Sequence, residues 1–514
     1  LPGSVGAAIV DNDDFGIDGE GEEAFDYFFN RVFLVVSRND HRNNGWIADF
    51  AHRGSGYLGK LGRQATMIGG EMERFDTLIL GGKVVSSAGI SDSDIGIRAG
   101  QIVAVGDLSG FEADRVFDAK GLHIFPGAID TQVHFREPGM EHKEDLASGT
   151  LAAICGGVTT IFEMPNTNPT TTSAEALADK LARARGRSYC DYSFFVGAAT
   201  GNLSALTELE RLPGTPGIKM FAGSSTGDLL VDGVDNQREA MKHGSRPMPI
   251  HSEDEMRLRE RKGLFGEHPH VRVHPEIRDA EAARLSTERL IGLCEETGRA
   301  IHILHVSTKE ELSLLRDAKA KGLPVTCEVT PHHLTLNSEL YETLGTKLQM
   351  NPPVRSEDHR VAIWEAVKEG LFDVFGSDHA PHTLEEKGKP YPESPSGMPG
   401  VQTLFPVMLD WSLRGELPLM QLVKMMMERP AELYGIKGKG KIEGGFDADL
   451  ILVDLDSSWE VTDAAMKSKC GWTPYADRTL KGVIQRVFLR GEHVVELGES
   501  LDRPIGQAVQ FDWK

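Results

Sequence analysis

The sequence predicts an α/β fold, a (β/α)₈ TIM barrel of parallel strands joined to a small composite β-sandwich domain formed from its two flanks. Three observations predict it. Between Gly127 and Gly435, eight short β-prone runs alternate with helical patterns over about 300 residues, as in a closed barrel rather than an open sheet. The bodies of these runs are apolar, whereas His, Asp, Asn or Arg stands at their C-terminal ends. A different texture, short alternating strands between glycine-containing turns, lies on both sides. It assigns residues 72–126 and 436–514 to one β domain around a barrel of residues 127–435.

Residues 1–71 come first and fit neither texture. They hold eleven acidic and six basic side chains, with eight of the acids between Asp11 and Asp26 and no sustained period of 2 or 3.6. The stretch reads as a solvated, poorly ordered or non-native extension, and the fold is expected to begin near Met72. From Phe75, runs such as DTLILGGKVV and DIGIRAGQIVAVG read as antiparallel hairpins. The barrel runs follow: HIFPGAIDTQVHF, TTIFEMPNT, YSFFVGAAT, GIKMFAGS, MPIHSEDE, AIHILHVST, PVTCEVTPHH and FDVFGSDHAPH. Helical patterns between them include SAEALADKLARARG with a Ser173 cap, AEAARLSTERLIGLCEETG and DHRVAIWEAVKEG. The glycines from Gly435 to Gly445 follow a helical pattern and precede a strand, the reverse of a phosphate-cradling loop, and read as a turn. GGFDADLILVDLD and GVIQRVFLRGEHVVELGE then complete the β domain.

Composition narrows the function. At 514 residues and 40% hydrophobic, the chain has material for a full core, and its net charge of −22 argues against a nucleic-acid or anionic-membrane binder. No apolar run approaches the ~20 residues that span a bilayer, and the N-terminus lacks the layout of a signal peptide. Five scattered cysteines without a CxxC pair read as free thiols in a reducing compartment. A soluble, cytoplasmic protein is expected.

In a barrel of this class the C-terminal strand ends converge on one mouth. His134, Asn166, His251, His305, His332, Asp378 and His382 are expected to gather there. Imidazoles with carboxylates suit Zn²⁺ or a similar divalent ion, which lowers the pKa of bound water toward ~7. Asp378 is placed to take the proton of that water and pass it to a leaving nitrogen. No cysteine stands beside a recognisable base, and the imidazoles and carboxylates at the strand ends suit a metal, so metal-assisted hydrolysis outranks covalent catalysis. The stretch His382 to Val401 is dense in Pro and Gly and reads equally as a lid over the mouth or as an ordered connector. His268, His270 and His274 fall in what reads as a surface connection and are not expected to be ligands.

These residues carry a family resemblance. From about Met72 onward, PGAIDTQVHFREPG, HKEDLASGT, MPNTNPTT, GIKMF, CEVTPHHLTL, NPPVR and GSDHAPHTLEEK resemble the dihydroorotases of the amidohydrolase superfamily. The resemblance implies a metal site that interconverts N-carbamoyl-L-aspartate and dihydroorotate in pyrimidine biosynthesis, with metal-bound hydroxide as nucleophile. It matches His134 to the second histidine of an H-x-H pair, Lys219 to a carbamylated lysine bridging two metals, and His251 and His305 to the second metal's ligands. Asp378 matches the aspartate that binds the first metal and shuttles the proton, while Arg136, Asn166 and His382 match residues that hold the substrate carboxylate. One or two Zn²⁺ ions, a small anionic substrate, a homodimer and association with aspartate transcarbamoylase are implied with it.

One position departs from the pattern. Gln132 stands where the family has the first histidine of H-x-H, and an amide oxygen is a weaker zinc ligand than imidazole. Three outcomes stay open: a first metal held with little help from Gln132, a single ion at His251, His305 and Lys219, or a silent scaffold partnering aspartate transcarbamoylase. Allantoinase- or hydantoinase-type hydrolysis is the rival within the class. There the substrate has no α-carboxylate to pair with Arg136.

Overall fold

Eight parallel strands line the middle of the chain, and all of their residues except Thr326 are buried, as a sheet covered on both faces requires. They are β1 (Ala128–Val133), β2 (Val158–Glu163), β3 (Asp191–Phe194, resuming as Val196–Gly197) and β4 (Ile218–Phe221). β5 (Met248–His251), β6 (Ile301–Ile303), β7 (Val325–Val329) and β8 (Val374–Phe375) follow. This computed structural model describes residues 74–224, 229–266 and 269–513, with the two-residue strands Phe28–Phe29, Val32–Phe33 and Thr66–Met67. Beyond those strands, the acidic extension expected over residues 1–71 lies outside the described residues. The chain divides into a unit Leu1–Gln64, where Phe28–Phe29 pairs antiparallel with Val32–Phe33, and a unit Ala65–Lys514 that holds everything below.

Pairing runs in two arcs. β1, β2 and β3 form one; the second segment of β3 through β4 to β8 forms the other. They meet again where Val133 bridges His379 in parallel and the His134 N–H donates to the His379 carbonyl at 2.7 Å. Buried polar side chains reinforce this seam. The Asp130 carboxyl accepts the Gln132 and Ser377 amides, each at 3.1 Å, tying β1 to the loop after β8. The Thr131 hydroxyl donates to Glu328 of β7 at 3.2 Å. Burial pushes Asp130 up to about 7 and Glu328 well above the carboxylate range.

The helices obey their caps. Ala174–Ala184 begins after Ser173, whose hydroxyl accepts the Ala176 amide, and Ala280–Thr297 begins after Asp279 and ends at Gly298 with φ of 73°. Glu357–Lys368 covers the third expected helix. Gly435, Gly438, Gly440 and Gly445 all take positive φ, and no regular element spans them.

The flanks meet in one ten-stranded sheet. Leu450–Glu460 pairs antiparallel with His123–Pro126, which runs parallel to Phe75–Ser86. Pro126 and Gly127 then lead directly into β1, so both flanks of the barrel segment brace the strand that leads to His134. All five cysteines are free and buried. Among the described residues, no helix is long and apolar enough to cross a membrane.

Candidate active site at the barrel mouth

Gln132, His134, Arg136, Asn166, Lys219, His251, His305 and Asp378, all singled out from the sequence, line one cavity. Gln132 and Lys219 lie within β1 and β4 and the others end or follow a strand, so the buried bodies of β1, β2, β4, β5, β6 and β8 deliver polar side chains to one place. The turns that do so are strained. Arg136, His305 and Asp378 have φ of 66°, 37° and 47°, a region that costs a non-glycine residue about 1–3 kcal/mol.

Two pairs of donors face into the cavity. On one side, His134 Nδ1 donates to the Asn166 amide oxygen at 2.6 Å, leaving the Nε2 lone pair 3.2 Å from Asp378 Oδ1. On the other side, His251 Nε2 donates to Glu253 at 3.0 Å, which leaves Nδ1 facing His305 Nε2 at 3.0 Å. Burial alone would raise Glu253, but Arg278 and His251 together hold it well below the usual carboxylate range, so it stays an acceptor. Burial lowers the pKa of His134, His251 and His305, keeping all three rings neutral and able to bind a metal.

The residues fit a divalent ion. Two nitrogens bonded to one tetrahedral zinc at about 2.0–2.1 Å lie roughly 3.3 Å apart, close to the His251–His305 separation. His305 Nδ1 is buried without a hydrogen-bond partner. Among the described residues, no three His, Cys, Asp or Glu side chains make a metal-holding group by themselves. Each half of the cavity supplies two, and Lys219 stands beside them. Its ammonium lies 4.6 Å from the centre of the Phe221 ring, and burial lowers its pKa to about 7, so much of the amine is neutral near physiological pH.

Gln132 donates its amide N–H to Asp378 Oδ1 at 3.0 Å, while its own oxygen is buried without a partner. Arg136 is 1% exposed, its Nε bonded to the Pro381 carbonyl, and burial lowers its pKa to about 10. Among the described residues, no carboxylate forms an ion pair with it.

Two expected mouth residues fall outside the cavity lining. His332 reads as a strand-end histidine, but Pro331 opens a short helix, Pro331–Thr335, capped by Thr330. That turn carries His332 away to stack on Tyr475, with ring centres 5.7 Å apart. His382 sits behind Arg136: its Nε2 lies 3.3 Å from Arg136 Nη2 and 3.0 Å from the Ser396 carbonyl.

The histidines after Gly266 need a second correction. His268 lies outside the described residues, and His270 caps the Arg272 amide. His274 is not on a surface connection but buried, bonded to the Met350 carbonyl at 2.9 Å and to Asn351 at 3.1 Å. Asn351, in the NPPVR segment, lines the cavity, and its sequence context assigns it no role there. Phe221, Ala380, Ser396 and Gly397 also line it without having been predicted. Nothing in their spacing marks them: Phe221 ends β4, and loop packing brings in Ala380, Ser396 and Gly397.

Comparison with known proteins agrees with this geometry. The sequence profile of the amidohydrolase family matches residues 123–494. A dihydroorotase of Methanosarcina mazei is 36% identical over 440 residues, covering 83% of this chain and 95% of that one. An allantoinase of Rubrobacter xylanophilus is 34% identical, covering 85% and 98%. Among solved structures, the L-hydantoinase (dihydropyrimidinase) of Arthrobacter aurescens superposes with a TM-score of 0.79 at 30% identity, covering 85% of this chain and 99% of that one. The chain belongs to the amidohydrolase family, as an enzyme that hydrolyses cyclic amides.

Proposed function

We propose that this amidohydrolase interconverts N-carbamoyl-L-aspartate and dihydroorotate, the dihydroorotase reaction of pyrimidine biosynthesis. One observation carries the choice of substrate: the buried Arg136 guanidinium, without a carboxylate ion pair among the described residues, in the wall of the catalytic cavity. A buried cation of this kind calls for an anionic ligand, and a guanidinium can bond both oxygens of a carboxylate. His382 holds Arg136 from behind, and Asn166 completes that side of the cavity.

Amidohydrolases are generally metal-dependent. His251, His305 and a carbamylated Lys219 are the groups that would hold Zn²⁺, with His134 and Asp378 lining the same cavity. When bound, the ion supplies a Lewis acid for the amide carbonyl and lowers the pKa of water. The lysine suits its part because carbamylation needs a neutral amine. In ring opening, Asp378 takes a proton from the attacking water and delivers it to the ring nitrogen as the C–N bond breaks. In ring closure, the ureido nitrogen attacks the side-chain carboxyl carbon and water departs, with Asp378 moving the same proton in reverse.

Relatives named allantoinase and L-hydantoinase make hydrolysis of an uncharged ring the second reading. Purified protein assayed against dihydroorotate, allantoin and hydantoin separates the two. Turnover of dihydroorotate above the others is expected; preference for an uncharged ring, or no turnover at all, refutes the proposal.

A further inference from the structure

The two halves of the cavity look alike as donor pairs but differ in what supports them. His251 is backed by a charged carboxylate, Glu253, which Arg278 grips through Nε at 3.1 Å. That backing raises the basicity of the ring and fixes Nδ1 toward His305. His134 is backed only by the neutral Asn166 amide. Its partner Asp378 Oδ1 is already engaged by the Gln132 amide N–H at 3.0 Å. Turning the Gln132 amide over would set its oxygen against that same carboxylate oxygen, a contact that only an ion between them could relieve. An ion there would then gain a neutral carbonyl ligand that zinc binds less well than imidazole.

We infer that this chain holds a single divalent ion, at His251, His305 and Lys219, and that Gln132 takes over the structural work of a second ion by donating to Asp378. The amide keeps the carboxylate aimed into the cavity without adding charge. Gln132 is thus a positioning residue for Asp378, and its effect on substrate passes through that carboxylate. The inference rests on the metal-dependent reading of the cavity but not on which ring is opened.

Metal content tests it without reference to turnover. Protein loaded with Zn²⁺ in bicarbonate buffer and freed of excess ion is weighed against its metal by inductively coupled plasma mass spectrometry. One ion per chain is expected, rising to two in Gln132→His. His251→Asn should lose the ion, and His134→Asn should keep it. Two ions in the unaltered protein, none, or one that departs with His134→Asn rather than His251→Asn would each overturn the inference. The count in the unaltered protein is decisive even where a variant fails to fold. One ion without dihydroorotate turnover would sink the functional proposal and leave this inference standing.

Discussion

Glu253 lies 3.0 Å from His251 Nε2 and is gripped on its far side by Arg278, a relay from the protein interior to a nitrogen that faces the cavity. The carboxylate decides which ring nitrogen is protonated and hence which one can bind an ion. Glu253→Gln keeps the shape, removes the charge and leaves Arg278 without its buried counterion. Zinc affinity should fall about 10- to 100-fold, the usual effect of removing a partner behind a metal ligand. Competition with a chromophoric chelator measures it; affinity within twofold of the unaltered protein would show that the relay is not needed.

Arg136 should select for charge on the ring. Arg136→Met removes charge-assisted hydrogen bonds worth about 1.5–3 kcal/mol, so kcat/KM for dihydroorotate should drop roughly 10- to 150-fold. An uncharged hydantoin gains nothing from the guanidinium and should lose far less. Parallel assays on the two rings check this, and an equal loss on both would assign Arg136 to holding the mouth together rather than to the substrate.

Most of the barrel and half of its mouth were legible in the sequence, for a physical reason. A strand buried on both faces must be apolar along its body, so a polar residue at its end stands out, as His134, His251 and His305 do. Legibility failed where the chain turns before the polar residue arrives. His332 looks like a strand-end histidine until the Thr330 cap and Pro331 start a helix. His274 reads as superficial because it falls in an HP-containing loop away from any strand end, and only the fold shows it bonded to Asn351. The Glu253–Arg278 pair spans 25 residues and has no local signature.

Acid should destabilise the fold through buried neutral histidines that do not themselves line the cavity. Burial lowers His274 and His302 to about 3 and His333 to about 4, against 6.5 in the unfolded chain. Across the window from 6.5 down to those values the unfolded chain binds protons that the folded chain refuses, so stability falls as pH drops. Urea midpoints measured from about pH 7 to about pH 4.5 should decline, and more shallowly in His302→Asn, which cannot take up that proton. A slope unchanged by the substitution would exclude His302 as a contributor.

The stretch after His382 is an ordered connector, and Lys387 is what orders it. This side chain is 1% exposed, and its ammonium donates to the Gln349, Pro395 and Gly397 carbonyls at 3.1, 2.9 and 3.0 Å. Gln349 in turn bonds the Ser394 carbonyl and the Ser396 hydroxyl, each at 3.0 Å, and accepts the Gly397 amide at 2.9 Å. One side chain therefore fastens the segment leading to Asn351 to the turn carrying Ser396 and Gly397, and all three of those residues line the cavity. Lys387→Met fills similar space but leaves buried carbonyls short of a donor, at a cost of about 1–3 kcal/mol for each one not re-satisfied. Melting temperature should fall for that reason alone. The positioning role has its own signature: KM for dihydroorotate should rise severalfold while kcat changes little, because the wall of the cavity loosens and the reacting groups on β1, β5, β6 and β8 do not. A lowered melting temperature with KM unchanged would make Lys387 a stabilising residue and nothing more.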